Sequence, residues 1–306
     1  MLAFLTTRLA QAIPVLFGVS LAVFLMLHLI PGDPAALIAG ADATAADVEN
    51  VRQSLGLDRP LAAQYLGFVG RALSGDFGKS FRTGRPVLEE VLPRYANTLA
   101  LGAIALSLAI VIGMASGIVS AVRRHTLFDN AALILSLAGV SMPTFFLGLM
   151  LMLVFSVWLG WLPLSGMSSW AHFILPAITL STASVAIISR VMHASLIEVL
   201  SEDYVRTARA KGQRESVVIW RHAVRNALIP VVTVAGLQLG YLLGGAVVTE
   251  TVFAWPGLGR LLVQSILARD FPVVQASVLL LAVSFVAINL ATDLIYGLID
   301  PRIRAR

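Results

Sequence analysis

The chain has 306 residues and no cysteine; 58% of its residues are hydrophobic, only 13% are charged, and the formal net charge is +5. Soluble domains carry about 25% charged residues, so this composition and a mean hydropathy of +0.86 exclude a soluble protein. The absence of cysteine excludes disulfides and Cys-based metal or redox sites. In a membrane protein, excess Lys and Arg marks cytoplasmic loops, so the positive charge does not indicate nucleic-acid binding.

Six segments are long and apolar enough to span a bilayer, which takes roughly 20 residues each. They are residues 9–30, 98–122, 131–159, 173–188, 228–248 and 273–299. The first is too long for a cleavable signal and lacks a small-residue cleavage site, so we expect it to be retained. The fourth is short and rich in Ser and Thr, and we expect it to end before Arg190. The predicted fold class is an all-α polytopic membrane protein with six transmembrane helices.

Residues 31–97 form the one long insertion between predicted spans, and they mix both signs of charge with turn sequences. Apolar spacing predicts short helices over 45–55 and 61–73. We expect a small helical cap outside the membrane that is too small for an enzyme domain. The predicted organisation is a first span at 1–30, an extracytoplasmic insertion at 31–97, a membrane domain at 94–299 with a cytoplasmic loop at 201–230, and a cytoplasmic tail at 300–306.

The distribution of basic residues predicts that both termini are cytoplasmic. With that orientation, thirteen of the 22 Lys and Arg residues lie in cytoplasmic segments, whereas the short outer loops hold only Arg260 and Arg269. The insertion holds the other seven, but loops of this length cross the membrane largely regardless of charge. The charged segment 201–230 therefore faces the cytosol.

The sequence contains no recognisable catalytic or metal-binding motif. A nucleotide-binding loop needs a glycine five residues before its Gly-Lys-Ser, and the nearest match, Gly78-Lys79-Ser80, has Leu73 there. The five histidines show no paired spacing, so no metal site is predicted. Asp293 is the only acid within the six predicted spans, which disfavours a proton-driven or sodium-driven carrier.

Glycines recur at intervals of four in the fifth span, at Gly236, Gly240 and Gly244, and this spacing puts them on one helix face. Gly113 and Gly117 repeat the spacing in the second span. Such faces allow close approach of another helix or of a substrate. Tight packing within one subunit, a subunit interface and a translocation path all remain open.

The segment 201–230 is predicted to form two short amphipathic helices. The first has an N-cap at Ser201 and ends at a left-handed Gly212. Its apolar stripe consists of Tyr204, Val205 and Ala208, and its basic residues, Arg206, Arg209 and Lys211, point in other directions. The second begins near Glu215, continues through Pro230 into the fifth span, and is expected to share one apolar face among Val217, Trp220, Val224 and Leu228. A rigid lever for a partner and an anchor to anionic lipid both fit this pattern.

The string Arg206-Thr-Ala-Arg-Ala-Lys-Gly212 resembles the EAA-x3-G cytoplasmic loop of type I bacterial ABC importers, although Arg206 replaces the glutamate. The following RHAVRNALIP is similar to permeases for dipeptides, oligopeptides, glutathione and nickel. Other family-like strings occur in order along the chain: IPGDPA, LGLDRPLAAQYL, SGDFGKS, ETVFAWPGLGRLL and DLIYGLIDPRIR. The resemblance covers essentially the whole chain.

The resemblance implies the type I ABC importer transmembrane fold and a permease subunit of the bacterial inner membrane that forms half of a translocation path. The implied partners are a second homologous permease, two cytoplasmic ABC ATPases and an extracytoplasmic solute-binding protein; no cofactor is implied in this chain. Peptides or glutathione are the expected substrates, with nickel or an ATP-independent carrier as alternatives. The residues expected to couple to an ATPase are Glu202, Tyr204, Val205, Arg206, Thr207, Ala208, Arg209, Lys211 and Gly212.

The outer strings are expected to face the outer gate or the binding protein. The residues concerned are Asp33, Glu250, Phe253 and Trp255. A re-entrant turn that places Phe253 and Trp255 at the membrane interface is the alternative interpretation.

Overall fold

The computed structural model describes residues 2–29, 33, 35–36, 43–54 and 56–299. This part of the chain is helical, and its sole β element is an isolated bridge between Lys79 and Pro86. The predicted tail 300–306 and most of the IPGDPA string lie outside the described residues.

Eleven helices are defined here in chain order within the described residues. They are α1 Leu2–Leu29, α2 Ala45–Ser54, α3 Leu61–Leu73, α4 Val87–Val122, α5 Leu127–Ser141, α6 Thr144–Trp158, α7 Trp170–Leu200, α8 Asp203–Ala210, α9 Glu215–Val252, α10 Leu258–Leu267 and α11 Phe271–Ile299. Five of them, α1, α4, α7, α9 and α11, are long and apolar enough to cross a membrane. The pair α5 and α6 brings the number to six if it counts as one broken span.

The third predicted span is not one helix, because α5 and α6 meet at an angle of 108°. Pro143 follows Met142, whose backbone is extended at φ −81° and ψ 125°. A residue before proline avoids the helical region because the proline ring crowds it, so the helix ends there. The segment predicted as the third span, 131–159, is therefore two helices rather than one for this local reason, and it completes the six predicted spans if the pair counts as one broken span.

The fourth predicted span proves to be a helix of 31 residues, much longer than predicted. Its hydroxyl groups bond within the membrane domain: Thr182 Oγ1 donates to the Ile178 carbonyl at 2.7 Å, and Ser184 Oγ donates to Gln238 Oε1 at 3.2 Å. Arg190 does not end it, since the buried Met192 and Leu196 continue its packed face. The Ser and Thr residues are thus compatible with a central, buried helix.

The chain divides into two compact units. The first contains residues 1–95 and 261–286. In it α3 packs on α1 through aromatic rings, with Phe24 5.4 Å from Tyr65 and 6.0 Å from Phe68 between centroids. The buried Asp270 accepts hydrogen bonds from Ser80 Oγ at 2.5 Å and Phe81 N at 3.0 Å. These bonds fix the loop after α3 to the start of α11.

The second unit contains residues 96–260 and 287–306, and α7 lies at its centre. Two apolar clusters join α7 to α4 and α9, one around Ile188 and Met192 and one around Leu180 and Trp255. Most of the stability of these helices comes from such packing rather than from intrinsic propensity.

The glycine faces have different environments. At Gly113 and Gly117 the backbone of α4 approaches α7 closely, and at Gly236 a side chain would overlap Thr292 of α11. Gly240 is buried, whereas a Cβ at Gly244 would meet no heavy atom within 4 Å. Packing within the chain therefore accounts for Gly113, Gly117 and Gly236. A role in a translocation path stays a prediction.

Replacing Gly117 by alanine is expected to destabilise the protein, since its Cβ would lie 2.5 Å from the Ser189 carbonyl oxygen and 2.8 Å from Met192 Cβ. Forcing extra volume into such a contact costs about 1–3 kcal/mol. We expect a lower midpoint of thermal unfolding in detergent. The matched variant Gly244→Ala fills open space and should melt at or above the wild-type temperature. Equal midpoints for the two variants would show that the α4–α7 contact is not tight.

Candidate functional site

The short helix α8 is attached to the membrane domain by an apolar contact. Val205 is fully buried and Ala208 is nearly so, and both pack on Val218 at the start of α9. Val199 and Leu200, at the end of α7, complete this cluster. The helix is thus fixed to the ends of two long helices.

The ends of α8 partly follow the sequence prediction. Gly212 has φ +76°, and its N–H donates to the Arg209 carbonyl at 2.9 Å, which confirms the left-handed stop. Ser201 is not the N-cap, because α7 runs to Leu200 and the Ser201 hydroxyl donates to the Glu198 carbonyl in its last turn at 2.6 Å. Glu202 occupies the N-cap position without a side-chain hydrogen bond.

Polar contacts cross the turn at Gly212 and hold α8 against α9. Arg209 donates to both oxygens of Glu215, with the shortest distance 2.7 Å from Nη2 to Oε1. These hydrogen bonds raise the pKa of the Arg209 guanidinium above its ordinary value. Asn226 Nδ2 also donates to the Tyr204 hydroxyl at 2.7 Å. Arg209 therefore has a structural partner inside the loop.

The surface of α8 that faces away from the membrane domain is polar and basic. Its exposed residues include Glu202, Arg206, Thr207, Ala210 and Lys211. The Arg206 side chain is 71% exposed and has only a 3.4 Å contact with Asp203, which is itself 96% exposed. Of the predicted coupling residues, Val205 and Ala208 attach the helix, whereas Arg206, Thr207 and Lys211 are available to a partner. Asn226 was missed by sequence reasoning, because nothing in the periodicity of α9 indicates its contact with Tyr204.

The apolar face predicted at the start of α9 is displaced by a π-helical segment, Val218–Ala223. The buried residues are Val218, Ala223, Val224 and Ala227, whereas Trp220 is 63% exposed. A π turn holds more residues than an α turn, so a period of 3.6 loses register across it. The prediction was right about the helix and wrong about Val217 and Trp220.

A second polar cluster surrounds Glu250, near the end of α9. Its side chain is fully buried, and its oxygens accept from Thr98 Oγ1 at 2.5 Å and from Arg260 N at 3.0 Å. The Thr98 hydroxyl in turn accepts from Leu258 N at 2.8 Å. The first N–H groups of a helix have no carbonyl partner within it. Here such N–H groups of α10 donate to side chains of α4 and α9.

The aromatic residues after α9 are buried too. Trp255 stacks edge to face on Phe173 at 4.5 Å, and its Nε1 donates to the Asn97 carbonyl at 3.3 Å. Phe253 is 2% exposed. The chain's own helices cover the side chains of Glu250, Phe253 and Trp255, so these do not lie exposed at a membrane interface or on an open contact surface. Their expected role at the outer gate stays a prediction.

Asp33, the other predicted outer residue, forms an ion pair with Arg52 at 2.5 Å and is about one-third exposed. Its contact with a binding protein stays a prediction. Across the described ranges, no cluster of three or more His, Asp or Glu side chains is arranged to hold a metal ion.

Exchanging Glu250 for glutamine is expected to lower stability, since an NH2 group would replace an acceptor oxygen among hydrogen-bond donors. Leaving buried polar groups mispaired costs roughly 1–3 kcal/mol. Gly257→Ala should be at least as damaging, because its Cβ would overlap the Glu250 carboxylate. Thermal melts of both variants can be compared with Glu89→Gln, a change at a half-exposed carboxylate. Wild-type melting of Glu250→Gln would contradict the bonding scheme.

Comparison with known proteins places this architecture in a family. Residues 109–305 match the family model "Binding-protein-dependent transport system inner membrane component", and residues 1–102 match the N-terminal model of the same systems. The glutathione transport system permease protein GsiC of Escherichia coli (strain K12) is 51% identical over 304 residues, which is 99% of each chain. GsiC of Pectobacterium atrosepticum is 52% identical over the same length.

Solved structures show the same fold at low sequence identity. A chain of the MetNI methionine ABC transporter in an inward-facing conformation gives a TM-score of 0.58 at 22% identity and covers 70% of this chain and 97% of its own length. A chain of an amino acid ABC transporter gives a TM-score of 0.51 at 15% identity and covers 69% of this chain and 92% of its own length. The expected importer fold and family are confirmed: this multi-pass protein belongs to the inner membrane components of binding-protein-dependent transport systems.

Proposed function

We propose that the protein is the permease subunit of an ATP-driven importer and forms half of the path by which glutathione or other short peptides cross the bacterial inner membrane. Supporting this are the full-length similarity to GsiC permeases, which are named for glutathione transport, and the helical membrane fold. The other half of the path is supplied by a second, homologous permease.

We place both termini in the cytoplasm. The concentration of Lys and Arg in the segments on that side supports this orientation. The surface of α8 then faces the cytosol, and the turn after α9 faces the binding protein's side of the membrane.

ATP hydrolysis is assigned to two cytoplasmic ATPase subunits, and substrate delivery to an extracytoplasmic solute-binding protein. The name of the family, which refers to a binding protein, supports the second assignment. The sequence supports the first, because its nearest match to a nucleotide-binding loop lacks the first glycine.

The observation that carries the coupling role is the rigid attachment of α8. A helix that transmits movement from an ATPase has to resist bending, and α8 is held by buried apolar contacts, by Arg209 with Glu215 and by Asn226 with Tyr204. Its outward surface consists largely of Arg206, Thr207, Ala210 and Lys211. An anchoring helix would need a continuous face of large apolar residues, whereas the one large ring that this helix exposes, Tyr204, accepts a hydrogen bond from Asn226; a protein partner therefore fits better than lipid.

Reversing two exposed charges, in Arg206→Glu with Lys211→Glu, is expected to reduce substrate-stimulated ATP hydrolysis about tenfold or more. Like charges placed across an interface cost several kcal/mol, and 1.4 kcal/mol is a factor of ten. The activity is measured in proteoliposomes that contain all partner subunits. Arg209 is left unchanged because its replacement would also break the contact with Glu215.

The matched control is Arg123→Glu with Arg124→Glu, which reverses two exposed charges in a different loop on the same side. It should keep near wild-type stimulation. Full stimulation in the α8 variant, with normal subunit assembly, would refute the coupling role.

The substrate assignment is tested by uptake into the same proteoliposomes with the cognate solute-binding protein. We expect saturable uptake of labelled glutathione or of a dipeptide, and this uptake should require ATP on the side of the membrane where the ATPase subunits lie. We expect no uptake of nickel. Nickel uptake without peptide uptake would reassign the protein to the nickel importers of the same branch. Peptide uptake that continues without ATP would identify a secondary carrier.

A further inference from the structure

The first unit contains a partly open cavity of about 290 Å³ between α1, α3, the loop after α3 and the start of α11. Four aromatic rings contribute to its wall, and two basic side chains line it as well. The rings are Phe24, Phe68, Phe77 and Phe81, and the basic residues are Arg71 and Lys79. An apolar wall beside two cations suits a ligand that has both an apolar part and an anionic group.

Most other polar groups of the cavity already have partners. His28 Nε2 lies 3.0 Å from Gln64 Oε1, and the one carboxylate of the lining, Asp76, accepts from Gly78 N at 2.9 Å. By contrast, neither Arg71 nor Lys79 has a side-chain hydrogen bond or ion pair with any residue the structure describes. The lining thus carries a net positive charge with two cations free to bind an anion.

The position of α3 indicates where this ligand comes from. The Tyr65 hydroxyl lies 2.8 Å from Ser20 Oγ of α1. Ser20 precedes the end of α1 at Leu29 by nine residues, which is about 13 Å of helix. Since α1 is apolar enough to cross the membrane, α3 packs against the membrane-embedded part of α1 rather than wholly beyond it.

The outward face of α3 agrees with this depth. Leu66 and Leu73 are 70% and 85% exposed, and the residues near them on that face, among them Ala62, have no charged or hydrogen-bonding side chain. Arg71 and Gln64 lie on the opposite face, toward the cavity. A helix with this pattern suits a bilayer boundary, where the leucines contact acyl chains and the arginine reaches the headgroups.

We propose that this cavity binds the headgroup of an anionic phospholipid, with Arg71 and Lys79 holding its phosphate. At about 290 Å³ the cavity lies at the lower end of the size of small-molecule pockets, roughly 300–1,000 Å³, which suits a headgroup whose acyl chains stay outside. In the orientation proposed above, the lipid belongs to the outer leaflet. An acidic segment of a protein partner would also meet the two cations, but it would leave the leucine face of α3 without apolar cover.

The test uses the assembled transporter in nanodiscs made from phosphatidylethanolamine and phosphatidylglycerol at a 3:1 ratio. Native mass spectrometry after release from the nanodisc should show retained phosphatidylglycerol on the wild type. Arg71→Gln with Lys79→Gln should reduce that retention at least tenfold. Arg59→Gln with Arg82→Gln removes the same charge from the same region outside the cavity and should retain the lipid.

If the double glutamine variant does not assemble, the variant Arg71→Lys with Lys79→Arg provides a second measurement. Because both positive charges stay, this variant should still retain phosphatidylglycerol, and loss of the lipid would overturn the proposal. Equal retention by the wild type and an assembled glutamine variant would also overturn it. The proposal would likewise be overturned if the wild type retained phosphatidylethanolamine as well as it retains phosphatidylglycerol. A glutamine variant that keeps the lipid but loses affinity for the solute-binding protein would assign the cations to a protein contact instead.

Discussion

The buried carboxylate of Glu250 connects three helices of the second unit. It accepts from Thr98 of α4 and from the first turn of α10, while it belongs to α9 itself. Burying such a group is costly unless hydrogen bonds replace the lost water, and here they do. The nearby Gly257 and Gly259 leave the space that the carboxylate occupies. The tight turn after α9, with Trp255 packed under it, depends on this arrangement.

Helix α9 takes part in the two polar clusters described above, the one that holds α8 and the one around Glu250. The contacts of α8 lie around its first turns, and Glu250 lies near its end, within one continuous helix of 38 residues. At 1.5 Å per residue this helix is about 57 Å long, enough to cross a bilayer and extend beyond it. A movement of α8 would therefore be transmitted along a single element to the turn that Glu250 stabilises.

The parts of the fold set by local chemistry could be predicted from the sequence. Apolar length identified the spans, and Gly212 was correctly expected to be left-handed. The break at Met142 and Pro143 was readable from the proline but was outweighed by the apolar composition around it. Glu250 was expected at the outer gate or at a contact with the binding protein, because the resemblance placed its string outside the membrane. Its burial could not be predicted, since its partners are distant in sequence, as Thr98 is, or are backbone groups, as in the first turn of α10. Ser201 was misassigned because buried contacts extend α7 past Arg190.

The π-helical segment Val218–Ala223 has a geometric consequence for the direction in which the basic surface of α8 points. Each residue of an α-helix turns the chain by about 100°, so the number of residues in this segment fixes the azimuth at which α8 leaves α9. Removing one residue there would return the helix to regular winding and swing the basic surface of α8 to a different side of the molecule. The number of residues in this segment therefore determines the direction of the exposed basic residues of α8 relative to the long apolar part of α9.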